Sequence, residues 1–159
     1  MKPFLLATDG SPAAGEAAKT AIELAGALEA PLLVATIWDV AYEPIGVGFG
    51  PGLPDIDRVG HKEALRVADD AARLAAEAGL EVDTIVCRGH PVEQICAIAD
   101  KRDPRMIVVG SHGWGALRRA LFGSVSTGVI HRARQPVLVV RGVGSDRATH
   151  AAEREEAAV

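Results

Sequence analysis

Five short apolar runs punctuate the chain, and four stretches of helical periodicity separate them. Residues 4–7 form the first run, closed by Thr8-Asp9-Gly10-Ser11-Pro12. Ser11 suits an N-cap and Pro12 a first helical residue. Ala14, Ala18, Ala21, Ile22, Ala25 and Leu28 then recur at helix spacing. Pro31 stops that helix, and residues 31–38 read as a second, nearly all-apolar strand. A second helix is expected over 55–78, with His61, Leu65, Ala68, Ala72 and Ala75 on its inner face and Gly79 as its cap. Residues 81–87 alternate through Val82, Thr84 and Val86, as a strand with one wetter side does. A third helix over 92–101 turns Ile95 and Ala99 inward. The apolar run 106–109 is a buried strand, a fourth helix over 124–133 buries Val125, Val129, Ile130 and Ala133, and 136–140 is a fifth strand.

Strands alternating with helices call for an α/β fold: one doubly wound parallel sheet with right-handed crossovers and helices on both faces. At 159 residues the chain is expected to be a single domain. The polar stretch after Gly142 reads as a flexible tail, giving a domain over 1–142 and a tail over 143–159. Residues 39–54 carry Gly46, Gly48, Gly50 and Gly52 with Pro44, Pro51 and Pro54. So long a stretch without periodicity is a flap beside a binding site or a surface connection without a role.

Hydrophobic residues make up 48% of the chain but aromatics only 4%, so the core must be built from Ala, Val, Leu and Ile. No apolar run approaches the roughly 20 residues that cross a bilayer, and the start of the chain turns polar too soon for a signal peptide; a cytoplasmic protein is expected. Cys87 and Cys96 form no C-x-x-C pair and read as inert thiols. The five histidines show no zinc-ligand spacing. A net charge of −4 disfavours a general nucleic-acid binder. The charge is uneven, however. Residues 101–141 hold eight basic side chains against Asp103 alone, while residues 1–100 hold seven basic and sixteen acidic ones. The positive segment suits an anionic ligand or is a solvated face.

The chemistry concentrates in residues 106–126, MIVVGSHGWGALRRALFGSVS. This is strand, glycine-rich loop, helix start. Unpaired N–H groups at a helix N-terminus attract anions, and glycine lets a phosphate approach the backbone. The spacing Gly110-x2-Gly113-x9-Gly123-Ser124 is not the Walker P-loop, because no Lys precedes Ser124. It is not the dinucleotide fingerprint either, because Arg118 stands where a third glycine is required.

Together with Ala7-Thr8-Asp9-Gly10-Ser11 and the PVLVV run at 136–140, this loop resembles the ATP-binding type of the universal stress protein family, over about residues 1–141. The resemblance implies a Rossmann-like sheet, similar to adenine nucleotide α-hydrolases, with strand order 3-2-1-4-5 and ATP in the crevice between strands 1 and 4. It implies that Gly110, His112 and Gly113 line phosphate and ribose, and that Gly123, Ser124, Val125 and Ser126 offer N–H groups and hydroxyls to the phosphates. Asp9 is implied beside the ribose and adenine, with an Asx turn ahead of Ser11 as the alternative reading. Ile37 matches the position whose backbone reads the adenine edge, and Ala7 and Val109 are implied as apolar wall. Mg²⁺ is expected to be held mainly through the phosphates, with Ser124 the protein ligand nearest to hand; ADP or AMP are the other candidate nucleotides. Arg118 and Arg119 either compensate phosphate charge or face water.

The leading expectation is a nucleotide-dependent regulatory protein of the stress response, acting through conformation or a protein partner. The alternatives are a slow ATP hydrolase or adenylate-transferring enzyme, and a nucleotide-free dimeric scaffold. No carboxylate pair or water-activating base stands beside the loop, so no catalytic residue is assigned. A fifth strand at the sheet edge would expose Val137, Leu138, Val139 and Val140, and a two-fold partner would cover them; a homodimer is expected.

Overall fold

The alternation of runs and helical stretches folds as its periodicities require. The computed structural model describes residues 1–38, 56–112 and 123–142. In chain order the elements are β1 (Phe4–Ala7), α1 (Pro12–Ala27), β2 (Leu32–Trp38), α2 (Ile56–Glu77), β3 (Val82–Arg88), α3 (Pro91–Arg102), β4 (Met106–Gly110), α4 (Ser124–Arg132) and β5 (Val137–Val140). The strands pair in parallel in the order β3-β2-β1-β4-β5, the order the resemblance implied. The 39–54 stretch, the nine-residue loop Trp114 to Phe122 and the 143–159 tail lie outside the described residues.

Strand side chains alternate between faces, and each face is covered by its own helix pair. Phe4, Leu6, Leu32, Val34 and Val108 pack against α1 and α2. Leu5, Leu33, Ala35 and Ile107 face α3 and α4, which contribute Val92, Ile95, Ile98, Ala99 and Val129. The central strands are apolar on both sides because both sides are covered. α1 buries six alanines, so its backbone comes close to the sheet. β3 is the edge strand its alternation suggested, with Asp83 and Thr84 exposed.

The expected inner face of α2 is corrected. The buried residues are Ala64, Val67, Ala68, Ala71 and Ala75; His61 is exposed and Leu65 is 41% exposed. In an alanine-rich helix the largest apolar side chains do not mark the core side, because only small ones fit a closely approached sheet. The same correction applies to Leu28, which caps α1 outside the core, and to Ile130, which points outward while Ser126 is buried.

Candidate functional site

The carboxyl edge of the sheet is stepped. β1 stops at Ala7, level with Ala35 and Val109. β2 runs on through Thr36, Ile37 and Trp38, which pair with Val86, Cys87 and Arg88 of β3. In a parallel ladder the main-chain groups of alternate residues address opposite neighbours. Leu32 N–H donates to Glu81 O and Gly89 N–H to Trp38 O, so Leu32, Val34, Thr36 and Trp38 address β3. Phe4 N–H donates to Pro31 O and Thr8 N–H to Ala35 O, so Leu33, Ala35 and Ile37 address β1. β1 ends before it reaches Ile37. The N–H and C=O of Ile37 therefore open together onto the gap above Ala7, and no backbone bond among the described residues takes either group. Ala7, Val109, Ile37 and Val125 all pack into the cluster on the α3/α4 face, at that same end.

The chain leaving β1 makes a tight turn. Ser11 N–H donates to Asp9 Oδ1 at 3.0 Å, the Asx bond, and Gly10 sits at φ +74°. Asp9 itself is exposed at the lip of the gap. Ser11 Oγ accepts from Ala14 N–H at 3.3 Å, capping α1, and donates to His112 O at 3.2 Å. The turn after β1 is thus fastened to the loop after β4. Gly110 shows why that approach is possible: a Cβ there would stand 2.8 Å from Ala13 C and from Ala14 N. Its lack of a side chain serves the packing of β4 on the first turn of α1.

A third junction sets the start of α4. Ser111 N–H donates to Val140 O at 2.7 Å, and Ser111 O accepts from Gly123 N–H at 2.6 Å. Ser126 Oγ lies 3.2 Å from Ser111 O and 3.0 Å from Gly123 O, and donates to that pair of carbonyls. Gly123 is the N-cap of α4 and provides no side-chain cap. The first-turn amides of Ser124, Val125 and Ser126 have no intrahelical acceptor by helix geometry, and Ser124 is exposed beside them. This is an anion-attracting end on the β4 side of the gap.

The structure therefore gathers Ala7, Asp9, Ile37, Val109, Gly110, His112, Gly123, Ser124, Val125 and Ser126 at one end of the sheet. Gly113 lies outside the described residues. Sequence reasoning missed Ser111, only 2% exposed, which joins β5, α4 and His112. Its only signal was a hydroxyl residue directly after the glycine that ends a strand. Several described members of the basic segment lie elsewhere, while Arg141 follows β5 at this end. Arg102 pairs with Asp83 at 2.5 Å and Arg132 with Glu93 at 3.6 Å. Arg105 and Arg134 line a hollow of about 600 Å³ with Lys2 at the opposite end of the sheet. Arg118 and Arg119 are outside the described residues. Among the described residues no group of His, Cys, Asp and Glu could hold a metal, and no helix is long and apolar enough to cross a membrane. Burial raises the pKa of Cys87 and of Cys96.

A doubly wound, Rossmann-like α/β domain whose strand order reverses between β1 and β4 is the class that this geometry defines. The family model for the universal stress protein family matches residues 1–141, and the chain belongs to that family. Universal stress protein YxiE of Bacillus subtilis is 33% identical over 147 residues, covering 87% of this chain and 97% of that protein. The solved structure of universal stress protein UspA from Lactobacillus plantarum superposes with a TM-score of 0.72 at 25% identity, covering 88% of this chain and 97% of that one. A universal stress protein solved in complex with cAMP superposes with a TM-score of 0.67 at 25% identity, covering 89% and 97%.

Proposed function

We propose that this protein is a nucleotide-dependent regulator that holds ATP with Mg²⁺ in the crevice between β1 and β4. The observation that carries the reading is the Ile37 main chain. One residue presents a donor and an acceptor side by side into a gap floored by Ala7 and walled by Val109. That pair matches adenine, whose N1 accepts and whose N6 amino group donates. It mismatches guanine, whose N1 donates and whose O6 accepts. Across the gap, the first-turn amides of α4 suit phosphates, and the Gly110-x2-Gly113-x9-Gly123-Ser124 motif leads in sequence to that helix start. The family member in complex with cAMP supports an adenine nucleotide as the ligand class. Two exposed side chains fit the group: the Ser124 hydroxyl at the start of α4 would be a ligand for a phosphate-bound Mg²⁺, and the Asp9 carboxylate would accept from a ribose hydroxyl. A cytoplasmic location goes with this ligand and is part of the same proposal. Domain 1–142 carries the site.

Val137 to Val140 form a half-buried edge strand. A two-fold partner pairing there gives a homodimer, in which the Ser111–Val140 bond lies between interface and site. The nucleotide state then acts on a protein partner through this edge or the loops.

Calorimetry of nucleotide-stripped protein with Mg-ATP and Mg-GTP tests the reading. Saturable ATP binding at one site per chain, with GTP at least about tenfold weaker, is expected from one inverted hydrogen-bond pair. Equal affinities would refute the role of Ile37.

A further inference from the structure

β2 overruns the end of β1. Beyond Ala35, residues Thr36 to Trp38 have β3 on one side and, among the described residues, no strand on the other. What holds this overhang decides how the Ile37 main chain faces the gap. On the ladder side, Trp38 O accepts from Gly89 N–H at 3.0 Å. The second hold is the Trp38 side chain. Neighbouring side chains on a strand point to opposite faces. Ile37 packs on the α3/α4 face, so Trp38 stands on the face covered by α2. There its ring lies against the helix backbone: a Cβ on Gly60 would stand 3.0 Å from Trp38 Cε3 and 3.6 Å from Cζ3. The His61 ring is beside it, 5.9 Å away between centroids. Arg88, the ladder partner of Trp38, places its guanidinium carbon 5.5 Å from the indole centroid, a cation–π distance.

We infer that Trp38 is a positioning residue: wedged between Gly60 of α2 and Arg88 of β3, it anchors the overhanging end of β2 and so keeps the Ile37 main chain aimed at the base of the nucleotide. The base half rests on the nucleotide reading above; the anchor half does not. The link is a single peptide unit. The C=O of Ile37 and the N–H of Trp38 belong to the same trans peptide, in which the two point opposite ways. Holding the Trp38 N–H toward β3 therefore holds the Ile37 C=O toward the gap. The indole is on the far face of the sheet from Val109 and Val125, so it acts through the main chain and not on the ligand.

Native-state hydrogen exchange of nucleotide-free protein tests the anchor. Gly89 N–H, bonded to Trp38 O, reports the overhang; Leu32 N–H, bonded to Glu81 O, reports the other end of the same strand pair. Trp38→Ala is expected to speed exchange at Gly89 at least about tenfold more than at Leu32. Equal changes at both amides, or none at Gly89, overturn the anchor and leave the ring as ordinary packing. Trp38→Phe keeps a ring beside Arg88 with a shorter reach to α2; it is expected to fall between, and it carries the test if Trp38→Ala does not fold. Calorimetry reads the base half, because Mg-ATP and Mg-GTP differ only in the base. The preference for ATP is expected to fall from at least about tenfold to about threefold or less in Trp38→Ala, with Trp38→Phe again between. A purely structural role would weaken both nucleotides alike, and an unchanged ratio overturns the base half. If the natural sequence shows no preference for ATP while Gly89 responds as expected, the nucleotide reading and the base half fall and the anchor half stands.

Discussion

Replacing Gly110 by alanine adds one methyl group at the point where β4 meets the first turn of α1. The new Cβ would stand 2.8 Å from Ala13 C, 2.8 Å from Ala14 N and 3.0 Å from Ala13 O. All three are backbone atoms at a capped helix start, so no side chain can rotate away. The helix end must lift. Overpacking of this kind costs about 1–3 kcal/mol. Lifting α1 also strains two bonds of Ser11, its cap to Ala14 and its tether to His112 O, worth about 1 kcal/mol each. A total of about 3–5 kcal/mol follows. For a chain of this size that lowers Tm by roughly 6–20 °C. The control is Gly15→Ala in the same helix, where a Cβ meets nothing within 4 Å. Helix propensity alone then acts, and a gain of about 0.5–1 kcal/mol is expected. Urea unfolding followed by circular dichroism measures both. Opposite signs are the expected result. Stability of Gly110→Ala within about 0.5 kcal/mol of the natural sequence would refute the close approach and return Gly110 to a purely ligand-facing role.

Three further outcomes are expected. Gly10→Ala places a Cβ 2.9 Å from Val67 Cγ2 at a φ of +74°; a loss of about 1–3 kcal/mol in the same urea assay is expected, and a neutral result would contradict it. The hydrogen bond from Arg102 holds the Asp83 carboxyl below its ordinary range. A depressed carboxylate stabilises the fold above its unfolded pKa, near 4, and that contribution is lost as pH falls through the lower folded value. Arg102→Ala is therefore expected to cost less than about 1 kcal/mol at pH 7, the pair being exposed, and to match the natural sequence at about pH 2; a gap that persists in acid would contradict this. Burial raises both thiols, so Cys87 and Cys96 should react with a disulfide reagent at pH 8 at least about tenfold more slowly folded than in urea; equal rates would mean that the α3/α4 side is open.

Fold class was legible because the central strands are apolar on both faces and Pro and Gly punctuate the connections: Pro12, Pro31 and Gly79 all fall where elements start or stop; the strand order came from the resemblance to the universal stress protein family, not from the pattern. Helix faces were less legible. α2 carries so many alanines that polarity does not mark its inner side, and Leu65 and Leu74 are left in water. Ser126 goes inward where Ile130 does not, because its hydroxyl meets the carbonyls of Ser111 and Gly123. That partner is fifteen residues away in sequence and visible only in the fold. The candidate site was legible as two separated motifs. What brings them together, the Ser11–His112 bond and the methyl-free Gly110, was not, since it depends on a separation of 101 residues. Within the basic segment, Arg105 and Arg134 finish at the far end from Gly123, because they precede β4 and β5.

Titration calorimetry of Mg-ATP into nucleotide-stripped protein, beside a Gly123→Val, Ser124→Ala variant shown by circular dichroism to be folded, tests the central claim most directly. The account predicts saturable binding near one ATP per chain in the natural sequence, and at least about tenfold loss in the variant, whose branched side chain blocks the amides of α4. No binding at about millimolar ATP, or equal binding by the variant, would contradict it and leave the glycine loop as a strand-to-helix connection.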